Sequence, residues 1–465
     1  MISPARALAF ETIRRTFEAD AFTERAFREA ADGSSLDSRD RAQAQRLAYG
    51  AVQRRGTSDA AIERLASRSV RRLDPPVLAA LRLGLYELLF ADATPDHAAV
   101  DQAVELTKGA GAAHAAGLVN AVLRRAVRER AELTASLLGD ESTPGTAAVA
   151  HSAPPWLAEM WWHELGAEGA RALLAACNEP AEVAFSASAA VAVGSDPAPP
   201  PARETVLVRL REAGVDASAP QADWPLAAPE TIVLSGRTGE TVPAMIAAGE
   251  LTPQSRGSAA VIEVLDPQEG EHVLDLCAGP GIKTAQIAAR MGDRGEVISV
   301  ELDPERAADV AAQARRLGLR SVSVIEADAT EIELAAGFDR VLLDAPCSDL
   351  GALASRPDAR WRKSPKTIAR LAEIQAKALR AAARVLRPGG VLVYATCTVS
   401  REENEDQIAA LLSAAEAGEV PPLELEDLGA RAPELASPVE RRCLQLRSDR
   451  DRTTGFFIAR LKRHD

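Results

Sequence analysis

Aromatic residues make up only 4% of this 465-residue chain, which has just five cysteines and six histidines. The cysteines, Cys177, Cys277, Cys347, Cys397 and Cys443, are odd in number and widely spaced, with no C-x-x-C pair and no histidine couple beside them. That pattern argues against a disulfide framework and a structural zinc site, so reduced thiols and no metal are expected. No run of about 18 uncharged apolar residues occurs, and the N-terminus lacks the charged, apolar and small-residue sequence of an export signal. A membrane partner is therefore not expected, and the cytoplasm is. Positive charge is also in short supply: 54 Lys and Arg face 67 Asp and Glu, a net charge of -13. The overall basic footprint common in nucleic-acid binders is missing. The deficit is uneven, however, because residues 1 to 130 carry 20 Lys and Arg against 17 Asp and Glu. An acidic average with basic patches permits RNA binding without predicting it.

What is present is apolar content of 47%, enough for several ordinary cores in a chain of this length. Residues 1–135 read as helix after helix. In LDPPVLAALRLGLYELLF, Asp74 suits an N-cap and Pro75 a first turn, while Val77, Leu81, Leu85, Leu88 and Leu89 recur at helical spacing. Residues 136–250 read as a small α+β linker module: SAPPWLAEMWWHELGAEGARALLAAC is helical, GSDPAPPPARE is a loop, and AEVAFSASAAVAV and ETIVLSG suit strands. From 251 to 465 the runs HVLDLC, EVISVE, SVSVIEA, DRVLLDA and GVLVYAT alternate with helical stretches, and TGFFIARL ends the chain as a strand. Alternation of this kind predicts a doubly wound, Rossmann-like parallel sheet with helices on both faces. The fold class is thus multidomain α and α/β.

In HVLDLCAGPGIKT a buried strand runs through Cys277 and Ala278 into Gly279, Pro280 and Gly281, and a helix follows from Ile282 and Lys283. Glycines let a ligand approach the backbone, and the helix start offers free N–H groups. This is neither G-x-G-x-x-G nor a phosphate-binding P-loop. Glu301 ends the next strand about twenty residues on, where an acid binds ribose hydroxyls; Asp303 suits a helix cap, and Asp328 suits an adenine contact or a turn. Two further strands end at Asp344, just before Pro346-Cys347, and at Cys397. In open α/β sheets ligands sit beyond the carboxyl ends of strands. If these two strands are adjacent, both thiols and Asp344 face one pocket. Arg356, Arg360, Arg362 and Lys363, interleaved with Trp361, form a basic and aromatic cluster suited to RNA.

CAGPGIKT, DAPCSDLG and ATCTVSREEN resemble the motifs of RNA cytosine-5 methyltransferases that use S-adenosylmethionine, and LRLGLYELLF, DHAAVDQAVEL and GLVNAVLRR resemble the NusB-like RNA-binding domain. The combination is similar to the Sun family, whose members are ribosomal RNA small-subunit methyltransferases B acting on 16S rRNA. It spans nearly the whole chain, apart from about 181 to 220. The resemblance implies an N-terminal NusB-like RNA-binding domain, a catalytic methyltransferase domain at 251–465, S-adenosylmethionine as cofactor and 16S rRNA as partner; a monomer is expected, although nothing in the sequence fixes the oligomeric state. It makes Cys277 to Lys283 the cofactor loop, Glu301 the ribose acid, Asp328 the adenine-side acid and Asp344 the acid that heads the proline-cysteine turn. Cys397 matches the nucleophile and Cys347 the thiol that assists product release. The nucleophile needs a lowered pKa, which a helix start behind Cys397 favours.

Some positions depart from the family pattern. Gly279 stands where alanine is usual, Ile282 where glycine is usual and Asp349 where glycine is usual; if the second of these requires a positive φ, isoleucine is strained there. The middle region lacks the family's Arg-x-Asn element. Another RNA substrate such as tRNA, or a non-catalytic RNA-binding assembly factor on the same fold, are the alternatives. A zinc deaminase is excluded, because Leu350 stands where its second cysteine belongs and no H-x-E occurs.

Overall fold

The structure, a computed structural model, describes residues 2–34, 36–91, 94–187, 203–220, 224–236 and 238–465. It divides into two compact units, Met1–Pro180 with Leu353–Lys363, and Ala181–Ala352 with Ser364–Asp465. None of its helices is long and apolar enough to cross a membrane, among the described residues.

The first unit is helical: α1 (Pro4–Glu18), α2 (Thr23–Asp32), α3 (Ser38–Gln53), α4 (Arg55–Ala66), α5 (Pro75–Phe90), α6 (Asp96–Gly109), α7 (Ala116–Arg128), α8 (Arg130–Leu138), α9 (Pro144–Ala150) and α10 (Pro155–Ala176). It also takes in the one-turn α16 (Ala359–Arg362) from later in the chain. On α5, Val77, Leu81, Leu85 and Leu88 bury against Ile62, Val119 and Leu123, as their spacing requires. Ala79, Ala80 and Leu83 on its other side bury against Phe10, Ile13 and Leu47. That helix therefore carries apolar residues on two faces, because two cores claim it. Asp74 holds the N-cap position but makes no capping hydrogen bond with its side chain.

The expected break at 135/136 does not exist. It falls inside α8, whose Leu133 and Leu137 continue the same core, so 136–180 belong with the helices and only the part from Ala181 onward forms the strand-bearing module.

That module opens the second unit with an antiparallel sheet of β1 (Val183–Ala187), β2 (Asp216–Ser218), β3 (Thr231–Ser235) and β4 (Leu251–Pro253), in the order β2-β3-β1-β4. Val206, Leu207 and Leu210 of α11 (Arg203–Glu212) and Val242 and Met245 of α12 (Thr241–Ala247) cover it. The rest of the strand expected at 181–193 lies outside the described residues beyond 187, as do the prolines of the expected loop. Because β4 begins at Leu251, the small sheet reaches just past the expected 250/251 boundary.

The large sheet has the order β10-β12-β9-β8-β5-β6-β7, with β5 (His272–Leu276), β6 (Glu296–Glu301), β7 (Val322–Glu326), β8 (Phe338–Asp344), β9 (Leu386–Thr396), β10 (Leu423–Leu425) and β12 (Phe457–Arg463); β11 (Leu444–Gln445) pairs with β12. The pairs among β5 to β9 are parallel and the final strand is antiparallel to β9. Side chains alternate between two cores, as the pleat demands. Leu274, Leu343, Leu392 and Tyr394 join Leu379 of α17 (Pro365–Val385) and Leu411 of α18 (Glu405–Glu416). Val273, Leu342 and Val393 join Ile262 of α13 (Arg256–Leu265) and Ile287 of α14 (Ile282–Arg290). Helix α15 (Pro304–Leu317) follows β6. Strands buried on both faces read as the near-continuous apolar runs that made them visible in the sequence.

Candidate functional site

The register of β8 on β9 pairs Asp344 with Ala395. Each strand ends there, and the turns that follow carry Cys347 and Cys397 to a sulfur-to-sulfur distance of 3.4 Å. Cys347 is buried and Cys397 half-buried. The backbone N–H of Gly351 donates to the Cys397 carbonyl at 2.9 Å, and Gly455 N–H donates to the Gly351 carbonyl at 2.9 Å. Gly351 lies so close to Gly455 that a Cβ would collide with its carbonyl. Asp344 Oδ2 accepts from Lys283 Nζ at 2.6 Å, and that ammonium stands 5.2 Å from the centre of the Phe456 ring.

Buried groups behind the thiols lace the two turns together. Glu403, fully buried, accepts from Ser348 N–H at 2.9 Å, from the Ser348 hydroxyl and from Gln375 Nε2 at 3.2 Å. The Ser348 hydroxyl also meets the Thr398 hydroxyl at 2.7 Å, and Gln375 Nε2 donates to the Pro346 carbonyl at 2.9 Å. Asn404 accepts from the Thr396 hydroxyl at 2.6 Å and donates to Gln445 Oε1 at 3.0 Å. The Tyr394 hydroxyl donates to the Glu403 carbonyl at 2.6 Å. The sequence reading missed this network, taking the charged run behind Cys397 for the start of a helix. A 3₁₀ turn at Arg401–Glu403 comes first and α18 begins only at Glu405, which turns Glu403 inward. The available signal was a glutamate-asparagine pair directly behind a strand-end thiol.

The electrostatics of the thiols also differ from expectation. The Cys397 thiol is held well above its ordinary pKa by its hydrogen bond with Cys347, then by burial, then by the negative charges of Cys347, Asp349 and Asp344. Its Sγ donates to Asp349 Oδ1 at 3.1 Å. In the protein alone, nothing at the turn lowers the pKa; added positive charge is what this site requires.

On the glycine loop, the positive φ angles belong to Cys277 (62°) and Gly281 (96°), and Ile282 is the first residue of α14. Isoleucine is therefore unstrained at 282. A Cβ on Gly281 would lie 2.9 Å from Val310 Cα, which together with its φ explains that glycine. Glu301 Oε2 accepts from Gly279 N–H at 2.9 Å and Oε1 from Asp303 N–H at 3.1 Å. A Cβ on Gly279 would sit 2.5 Å from Glu301 Oε2 and 2.7 Å from Arg306 Nε, so the usual alanine does not fit against Arg306 as it lies here. Asp303 caps α15 through the N–H groups of Glu305 and Arg306, as expected. Asp328 Oδ1 accepts from Thr330 N–H and hydroxyl, each at 2.8 Å, and so organises a turn. Beneath the loop, Asp275 accepts from the Thr284 hydroxyl at 2.6 Å, its other oxygen has no partner, and burial pushes its pKa up to about 7. Burial likewise raises the Cys277 thiol. The start of α14 beside the carboxyl groups of Glu301 and Asp328 offers backbone donors and side-chain acceptors suited to hydroxyls and amines, which fits a nucleoside cofactor without phosphates.

The basic cluster is a correction. Arg360 is 1% exposed, and its terminal nitrogens donate to the Ser152 carbonyl at 3.0 Å, Asn178 Oδ1 at 3.2 Å and the Cys177 carbonyl at 2.9 Å. Trp361 donates from its indole to the Val52 carbonyl at 2.9 Å and packs among the α1, α3 and α5 core residues. Arg362 is occupied by Asp358 at 2.8 Å and the Asp20 carbonyl at 2.9 Å. These three side chains fix residues 353–363 into the first unit, and their donors are occupied or, like Arg360 Nε, buried away from RNA phosphates. Arg356 is exposed and Lys363 half-buried.

Residues 262–462 match the family described as 16S rRNA methyltransferase RsmB/F, and residues 3–128 match the NusB family. A probable ribosomal RNA small subunit methyltransferase B from Synechocystis is 33% identical over 100% of both chains. The ribosomal RNA small subunit methyltransferase B of Klebsiella pneumoniae is 30% identical, covering 92% of this chain and 91% of its own. The crystal structure of PH0851 superposes over 100% of both chains with a TM-score of 0.80 at 24% identity, a likeness of fold.

Proposed function

Because the chain belongs to the 16S rRNA methyltransferase RsmB/F family, and so is an S-adenosylmethionine-dependent RNA cytosine methyltransferase, we propose that it methylates C5 of a cytosine in 16S rRNA, in the cytoplasm, with Cys397 as nucleophile. The observation that carries this reading is the 3.4 Å separation of two thiols beside an Asp344–Lys283 ion pair.

The chemistry needs both sulfurs. Cytosine C5 is a poor nucleophile; once the Cys397 thiol has lost its proton to solvent and the sulfur bonds to C6, the electrons of the C5–C6 double bond move to C5 and activate it. Asp344 hydrogen-bonds the N3/N4 edge and Lys283 fixes its carboxylate. When bound, S-adenosylmethionine supplies the methyl group and the positive charge of its sulfonium. Residues 277–283, Glu301 and Asp328 would hold it. After transfer a base takes the C5 proton, the C5–C6 double bond re-forms and the Cys397 thiolate leaves. Cys347, touching Cys397, assists that release. The target base must be unpaired or flipped out, at a cost of a few kcal/mol, and Arg356 and Lys363 remain candidates for holding the strand.

Transfer of labelled methyl from S-adenosylmethionine to 16S rRNA, with bulk tRNA as the competing substrate, tests the target. Incorporation into 16S rRNA at one cytosine, read by bisulfite sequencing, is expected; incorporation into tRNA alone would replace the substrate assignment.

A further inference from the structure

We propose that Cys347, Asp349 and Cys397 form a three-ligand site for a thiophilic divalent cation such as Zn2+, and that its occupation blocks the nucleophile. The sequence concealed this site, because two of its ligands are fifty positions apart and no metal-binding spacing joins them. In the fold the two sulfurs and a carboxylate oxygen of Asp349 all lie within 4.8 Å of one another. Two of the edges are 3.4 Å, between the sulfurs, and 3.1 Å, from Cys397 Sγ to Asp349 Oδ1.

Tetrahedral zinc, with bonds of about 2.3 Å to sulfur and about 2.1 Å to oxygen, sets edges of about 3.8 Å and about 3.6 Å. Those two edges have to open by only about half an ångström, and the third, already within 4.8 Å, has to settle near about 3.6 Å, within reach of side-chain rotation at the ends of two neighbouring strands. Two thiolates and a carboxylate suit a borderline-soft dication, and the half-buried Cys397 and Asp349 leave a fourth position for water. As each metal–sulfur bond forms, its thiol proton leaves to solvent, so two protons are released for each cation bound. Adjacent strand ends explain why the thiols meet. They do not explain Asp349, which the two-thiol methyl-transfer chemistry does not use and which stands at a φ of 59°, a conformation glycine adopts more readily. Binding rests on these three side chains alone, and only the effect on activity rests on the reading of Cys397 as nucleophile.

The test is titration of the reduced full-length chain with Co2+, followed by displacement with Zn2+. One equivalent should produce a thiolate-to-cobalt absorption in the near ultraviolet with release of two protons, and one equivalent of Zn2+ should stop iodoacetamide from labelling positions 347 and 397. Asp349→Gly, which suits the local φ, should weaken binding by about tenfold or more. The absence of a one-equivalent transition in the natural chain overturns the proposal whatever the variants do, and so does an unchanged affinity in a folded Asp349→Gly protein. A titration as expected alongside a fully active Cys397→Ala protein would retire the nucleophile and leave the cation site; an inactive Cys397→Ala protein with no cobalt binding by the natural chain would do the reverse.

Discussion

Replacing Glu403 with alanine should loosen both thiol turns at once. Its fully buried carboxylate holds Ser348 N–H at 2.9 Å, the Ser348 hydroxyl, and Gln375 Nε2 at 3.2 Å. Hydrogen bonds to a charged acceptor contribute about 1.5–3 kcal/mol each, and a buried donor left without a partner costs about 1–3 kcal/mol. These terms overlap within one network of three donors, so the expected loss is about 3–5 kcal/mol. For the second unit this corresponds to a fall in Tm of roughly 6–20 °C at about 2–4 °C per kcal/mol. Glu403→Gln keeps Oε1 as the acceptor for Ser348 N–H and Gln375 Nε2 but sets an amide N–H2 where the Ser348 hydroxyl donates, so an intermediate loss is expected. Calorimetry measures the Tm, and methyl transfer below the melting range measures kcat, which should fall as the two sulfurs separate. A Glu403→Ala protein with a Tm within about 2 °C of the natural chain and an unchanged kcat would refute the claim that this carboxylate holds the site together.

Three more outcomes follow from the same coordinates. Asp275 has a folded-state pKa of about 7 because of burial, against about 3.9 in an unfolded chain. Its protonated form is favoured in the fold, so its contribution is fully present below about pH 4 and lost as pH rises through 7; Asp275→Asn, which cannot ionise, should gain on the natural chain across that window by up to about 4 kcal/mol in urea unfolding. Gly281→Ala places a methyl group 2.9 Å from Val310 Cα at a φ of 96°. It should cost about 1–3 kcal/mol of stability and weaken S-adenosylmethionine binding in calorimetry. Arg360→Ala strips partners from the Ser152 and Cys177 carbonyls and the Asn178 side chain inside the first unit, and should destabilise that unit by about 3–5 kcal/mol, read by circular dichroism during thermal melting.

The catalytic half of the fold was legible because its strands are buried on both faces, and such strands announce themselves as short apolar runs between helical stretches. DRVLLDA and GVLVYAT could be read as strands from their own residues, and their ends met as adjacency required. The boundary at 135/136 was not legible, since α8 carries its helical period straight through and composition changes nowhere near it. Glu403 was hidden for a different reason. A glutamate in a run of charged residues resembles solvated surface, and only a 3₁₀ turn, which depends on its tertiary partners, brings it inward. Arg360 and Trp361 misled in the same way: an arginine-tryptophan cluster has the composition of an RNA contact, but buried carbonyls took up its donors. Asp349 was noticed as a departure from a usual glycine, though its place against Cys397 exists only in three dimensions.

The central claim is that Cys397 attacks and Cys347 releases, and a covalent complex tests it directly. Cys347→Ala protein incubated with 16S rRNA and S-adenosylmethionine should accumulate a denaturation-resistant protein–RNA adduct, with peptide mass spectrometry placing the nucleotide on position 397, while Cys397→Ala should form none. An adduct on position 347 in Cys397→Ala protein, or full methyl transfer by that variant, would contradict the account.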